Sequence, residues 1–125
     1  MVVDSDSFTF DLSDDEVDRL FHALADRTRR AILAQAMTGD RSVSALARTS
    51  PYSFAAVQKH VAVLERAGLV SKQKHGREQR VITNMSGIER ARELLDRYEE
   101  LWRERLARFE AILDEAEPAA DDNGT

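Results

Sequence analysis

Two adjacent side chains, Gln58 and Lys59, are of types that can read a nucleic acid. They follow a pair of alanines, Ala55 and Ala56, in the run SFAAVQKHVAVLERAGLV from Ser53 to Val70. Small residues let a helix backbone come close to a partner, and the longer side chains then reach past them. A glutamine amide can make a paired contact to adenine, and a lysine can donate to guanine or to phosphate. Ser53 has the chemistry of a helix cap, and the N–H groups at a helix N-terminus favour a phosphate. Downstream lie Lys74, His75, Arg77 and Arg80. These can contact phosphates or send an arginine into a minor groove. His60 has two readings: a third contact beside Gln58 and Lys59, or a hydrogen bond within the fold.

The pattern around these residues specifies the elements that must position them. At about 100° per residue, Phe54, Val57, Val61 and Leu64 form one apolar stripe, with Ala55, Lys59, Ala62 and Arg66 opposite. Gly68 suits the left-handed position just past a helix end. Val70 leads an alternating segment, His75-Gly76-Arg77 supplies a turn, and Gln79 to Thr83 alternates again, which predicts a two-stranded hairpin. Upstream, Ser13–Glu16 is a capping box for a helix bearing Val17, Leu20, Phe21 and Leu24. Asp26 caps a second helix with Ile32, Leu33 and Ala36 inward, ending near Gly39. A brief extended piece at Val43, a short third helix from Ser44 burying Leu46, and a break at Pro51 complete this part. The third helix, the turn and the fourth helix make a helix-turn-helix, and the hairpin makes a wing. The expected fold is mostly α with a small β-hairpin wing, a winged helix-turn-helix.

Ser86–Glu89 reads as another capping box, and the helix it opens spans 86–115. At 1.5 Å per residue it is roughly 45 Å long. Its apolar residues recur at steps of three and four to the end, and such a stripe needs a second chain to cover it. The expected dimer interface is Leu20 of the first helix with Leu94, Tyr98, Leu101, Trp102, Leu106, Phe109 and Ile112 of the last. Residues 1–12 read as a flexible acidic arm, 13–115 as the domain, and 116–125 as a disordered acidic tail.

The 125 residues carry a net charge of −5 and no cysteine. The absence of cysteine excludes disulfides, thiolate catalysis and Cys-based metal sites. The charge is unevenly placed. Residues 1–20 hold seven acids and one base, and 114–125 hold five acids and no base, whereas 53–83 hold six bases against two acids. A basic middle between acidic ends fits a polyanion partner, although a mixed surface has the same count. Three scattered histidines, His22, His60 and His75, lack the spacing of a zinc site. No nucleophile elbow, phosphate loop or metal-hydrolase motif is present, so no catalytic residue, metal or cofactor is expected. No apolar run is long enough to span a membrane, and the N-terminus lacks a secretory pattern, so a cytoplasmic protein is expected.

LFHALADRTRRAIL at Leu20–Leu33, the run from Ser53 to Val70, and KHGREQRV at Lys74–Val81 together resemble the ArsR/SmtB-type winged-helix repressors. The resemblance covers about Leu20 to Leu113. It implies a homodimer that blocks promoters and leaves its double-stranded DNA operator when an effector binds. It also implies base-contacting positions at Ala55, Ala56, Gln58 and Lys59. Two of these are alanines, so direct readout is sparse. Many members have proline where this chain has Arg27. The third helix has no cysteine and the last helix no histidine, so the likeness is to the non-metal branch and the effector is unknown. A protein-interaction module that keeps the fold but no longer reads DNA stays open as the alternative. It is motivated by the acidic total charge.

Overall fold

The computed structural model describes the backbone of residues 13–123 and the side chains of 13–116. The acidic arm expected at 1–12 lies outside the described residues. Backbone contacts divide the chain after Ala91.

The unit up to Ala91 contains α1 (Asp14–Leu24), α2 (Arg27–Thr38), β1 (Arg41–Ser42), α3 (Val43–Arg48), α4 (Phe54–Arg66), β2 (Val70–His75), β3 (Glu78–Thr83) and the start of α5 (Met85–Asn123). Its core gathers Leu20 and Ala23 of α1, Ile32, Leu33 and Ala36 of α2, Val43 and Leu46 of α3, and Val57, Val61 and Leu64 of α4. Leu69, Val70, Val81 and Ala91 complete it. The apolar rows expected on α2 and α4 are therefore inward, except that Phe54 is 46 % exposed. It occupies the first helical position of α4, ahead of the turns that face the core.

Serine and aspartate caps set the helix starts. Ser13 accepts from Glu16 N at 3.2 Å, Asp26 from Arg29 N at 3.0 Å, and Ser53 from Ala56 N at 3.1 Å. Each satisfies one of the orphan donors of a first turn. Ser42 accepts from Ala45 N at 3.0 Å, so α3 starts at Val43 rather than Ser44. The extended piece is accordingly Arg41–Ser42 and not Val43, which is buried at the start of the helix. Asn84 Oδ1 accepts from both Ser86 N at 3.1 Å and Ser86 Oγ at 2.7 Å, so α5 is capped from Asn84 and not by a Ser86–Glu89 box. The α5 backbone also continues past the expected end at Glu115, into the segment expected to be disordered, as far as Asn123. Alanine and glutamate, which are strong helix formers, recur there.

The end of α4 is a Schellman motif. Leu69 N donates to Leu64 O and Gly68 N to Glu65 O, both at 3.0 Å. Gly68 holds φ +78°, which a side chain would strain. Leu64 and Leu69 are both fully buried, the apolar pair that accompanies this motif.

The sheet has three strands in the order β1-β3-β2, all antiparallel, not the two of a bare hairpin. Arg41 pairs with Val81 and Ser42 with Arg80, so the wing is tied to the start of α3. Between β2 and β3 a two-residue turn places Gly76 at φ +63°, the sign a type II′ turn requires at its first central position.

Thr83 Oγ1 is buried without a hydrogen-bond partner among the described residues. An unsatisfied hydroxyl costs about 1–3 kcal/mol. Thr83→Val is therefore expected to raise the stability by about 1 kcal/mol, read as a higher urea midpoint with unchanged slope. A fall in the midpoint would show that the hydroxyl is satisfied.

From Arg92 onward, α5 carries ion pairs of Arg97 with Glu100 (3.2 Å) and Glu104 (4.0 Å), and of Arg103 with Glu99 (3.5 Å). Tyr98, Trp102, Leu106, Phe109 and Ile112 are exposed in one stripe, Trp102 at 55 %.

Candidate nucleic-acid interface

The outward side of α4 follows from its inward side. Burial of Val57, Val61 and Leu64 fixes the rotation of the helix. Ser53, Ala55, Gln58 and Lys59 are then exposed, and Ala56 and His60 are half-buried. The two alanines leave the backbone uncovered beside Gln58 and Lys59, which make no hydrogen bond or ion pair among the described residues.

His60 is tied into the fold. Its Nδ1 lies 4.0 Å from Asp26 Oδ2, and its ring stands edge-on to Tyr52 at 6.1 Å and 72°. Tyr52 had no assigned role in the sequence reading. The signal was an aromatic between Pro51 and Ser53, in the turn of the helix-turn-helix. The Asp26 carboxyl is held below its ordinary value, first by the hydrogen bond from Arg29 N, which outweighs an opposing desolvation, and then by Arg29 and His60 through their charges. A depressed folded-state value means stability that is present above the ordinary carboxylate range and lost as pH falls through the folded value. Asp26→Asn keeps an acceptor at the cap but removes the charge. Its stability deficit, measured by denaturant unfolding, is expected to shrink as the pH is lowered from neutral into the acid range. A deficit independent of pH would remove the charge from the account.

Arg29 and Arg30 of α2 are engaged with the end of α1. Arg29 Nε donates to Ala23 O at 2.9 Å and its Nη2 to His22 O at 2.8 Å. Arg30 Nη1 donates to Leu24 O at 2.8 Å. Both satisfy carbonyls at the end of α1, where cations suit the helix dipole. The Asp-x-Thr-Arg-Arg run thus caps the start of α2 and the end of α1 together.

The sheet register separates the wing cations. Side chains alternate across a strand, so Lys74 shares a face with its partner Gln79, whereas His75 and Arg80 lie on the opposite face. Arg77 stands in the turn itself. Arg80 is half-buried, with Nε 3.9 Å from Glu78 Oε2. Lys72 is paired with Glu65 of α4 at 3.5 Å. The four residues Lys74, His75, Arg77 and Arg80 therefore do not form one patch.

Leu20, expected at a dimer interface, is 2 % exposed within the core of its own unit. Leu94 is also buried. Periodicity marks a residue as apolar-facing but does not distinguish the chain's own core from an outer face. Leu101 is half-buried. Among the described residues no group of three or more His, Asp or Glu is placed to hold a metal ion, and no helix is long and apolar enough to cross a membrane.

A helix-turn-helix whose second helix presents Gln58 and Lys59, followed at once by a β-wing, defines the DNA-binding transcriptional regulators of winged-helix type. The chain is 36 % identical over 97 residues to the HTH-type transcriptional regulator Rv2034 of Mycobacterium tuberculosis, a match covering 78 % of this chain and 88 % of the relative. The ArsR-like transcriptional regulator from Rhodococcus sp. RHA1 superposes with a TM-score of 0.74 at 35 % identity, over 80 % of this chain and 92 % of that one. The ArsR family transcriptional regulator RHA00566 superposes with a TM-score of 0.70 at 29 % identity, over 75 % and 97 %. No protein-family model matches the chain. It belongs to the ArsR family of winged helix-turn-helix transcriptional regulators.

Proposed function

We propose that this regulator is a cytoplasmic homodimeric repressor that places α4 of each subunit in the major groove of a pseudo-palindromic operator and leaves it in response to a signal. The observation that carries the reading is the exposed row Ser53, Ala55, Gln58 and Lys59 on a helix whose rotation is fixed by three fully buried residues. Gln58 and Lys59 read bases or phosphates, and the Ser53 end of α4 seats a phosphate. Arg77, at the wing tip, is the arginine best placed for a minor groove, with Lys74 and His75 flanking it on opposite faces. We assign this work to 13–115, with 86–115 as the dimerisation helix. The exposed stripe of Tyr98, Trp102, Leu106, Phe109 and Ile112 supports self-association, because an apolar stripe this long on one helix needs a partner. Leu101 sits at its edge.

Binding to DNA from immediately upstream of the gene tests the reading, with random DNA as control, at two salt concentrations. Preference for the upstream fragment with a steep loss of affinity at higher salt is expected. Equal, weak binding to both fragments would overturn operator recognition at that site. Sedimentation of the same protein is expected to give a dimer.

A further inference from the structure

We propose that a cavity at the rear end of α4 binds a small dianion, a phosphate or a dicarboxylate. The cavity measures about 300 Å³ and lies within the unit up to Ala91. Glu16, Arg19 and Leu20 of α1 form one wall, Arg66 and Gly68 at the end of α4 another, and Arg90 of α5 a third. Three arginines from three helices thus line one concavity. Glu16 is the single carboxylate among its lining residues, and its Oε2 lies 3.5 Å from Arg90 Nη1. Arg19 and Arg66 make no hydrogen bond or ion pair among the described residues. Two positive charges are left uncompensated.

The chain has 23 acids against 18 lysines and arginines, so carboxylates are not scarce, yet only Glu16 lines this hollow. A cation in the last turn complements the dipole of α4, which accounts for Arg66. Neither that dipole nor the Glu16–Arg90 pair accounts for Arg19, which lines the same space from α1. Like charges gathered around one hollow repel unless an anion lies between them. Arginine suits that role because its planar fork binds carboxylate or phosphate through two parallel hydrogen bonds. The volume is at the small end of ligand sites, which favours a compact dianion over a polymer. If α4 reads DNA as proposed above, such a ligand touches that helix at its opposite end from Ser53 and ties it to α1.

Calorimetric titration of the full chain tests this with inorganic phosphate, with succinate, and with chloride at matched ionic strength. Saturable binding of phosphate or succinate with a Kd of about 1 mM or below is expected, with none for chloride. Whichever of the two binds more tightly identifies the source of the dianion. Arg19→Ala and Arg66→Ala, both at exposed positions and checked for folding by circular dichroism, are each expected to weaken binding by about tenfold or more. The bound dianion is expected to shift operator affinity by about 5–150-fold. Absence of saturable binding by either anion, or binding unchanged in both variants, would overturn the proposal. So would weaker operator binding by Arg19→Ala in the absence of any dianion, which would assign the cluster to the DNA backbone. Dianion binding by a chain that binds no DNA would leave the site standing and remove the DNA reading.

Discussion

Lys59→Glu is expected to abolish operator binding while leaving the protein folded and dimeric. Lys59 is exposed on α4 and makes no hydrogen bond or ion pair among the described residues. A base or phosphate contact from such a position contributes about 1–3 kcal/mol. In a symmetric dimer it is lost twice, which corresponds to a fall in affinity between about 30-fold and 10⁴-fold. Charge reversal adds repulsion from the phosphates, so the upper part of that range is expected. Lys59→Ala separates two roles. Loss of a lysine–phosphate contact lowers affinity for all sequences and reduces the salt slope by about one per contact. Loss of a lysine–guanine contact instead narrows the preference for operator over random DNA. Quantitative binding isotherms at several salt concentrations read both. Unchanged operator affinity in Lys59→Glu would remove α4 from the interface.

Gly87→Ala is expected to destabilise the fold, against the usual benefit of alanine in a helix. Gly87 lies in the first turn of α5 and is buried. A Cβ added there would stand 2.5 Å from the carbonyl oxygen of Gly68 and 3.1 Å from Leu69 Cδ2. The obstacle is backbone, locked by the Schellman bonds of Leu69 and Gly68, so it cannot rotate aside as a side chain can. Overpacking of this kind costs about 1–3 kcal/mol or more, beyond the roughly 0.5–1 kcal/mol that alanine gains over glycine within a helix. The net expectation is a loss of about 2 kcal/mol. Gly39→Ala is the control. Gly39 is extended at φ 163° with nothing within 4 Å of an added Cβ. That change is expected to be neutral or slightly stabilising. Equal melting temperatures for the two variants would show that the Gly87–Gly68 approach is looser than described.

Much of the fold was legible because its signals are local. Caps at Ser13, Asp26 and Ser53, the stop at Gly68 and the apolar rows of α2 and α4 each depend on neighbours within a turn or two. The errors arose where a distant partner decides. β1 exists because Arg41 and Ser42 meet Val81 and Arg80, some forty residues away. Leu20 reads as an outer-face residue until the core closes over it. The SGIE box was a plausible cap, but Asn84 stands one place before Met85 and takes the Ser86 donors first. The exposure of Gln58 and Lys59 could be read from helix phase alone. The division of the wing cations could not, because it depends on strand register, and neither could the engagement of Arg29 and Arg30 with the end of α1.

The seating of Gly87 on Gly68 also has a mechanical meaning. Side-chain contacts between helices are compliant, because rotamers can shift and absorb small displacements. Here no side chain intervenes, and backbone rests on backbone. The joint has no slack. A displacement of the first turn of α5 by a fraction of an ångström is therefore expected to carry the Gly68 end of α4 with it.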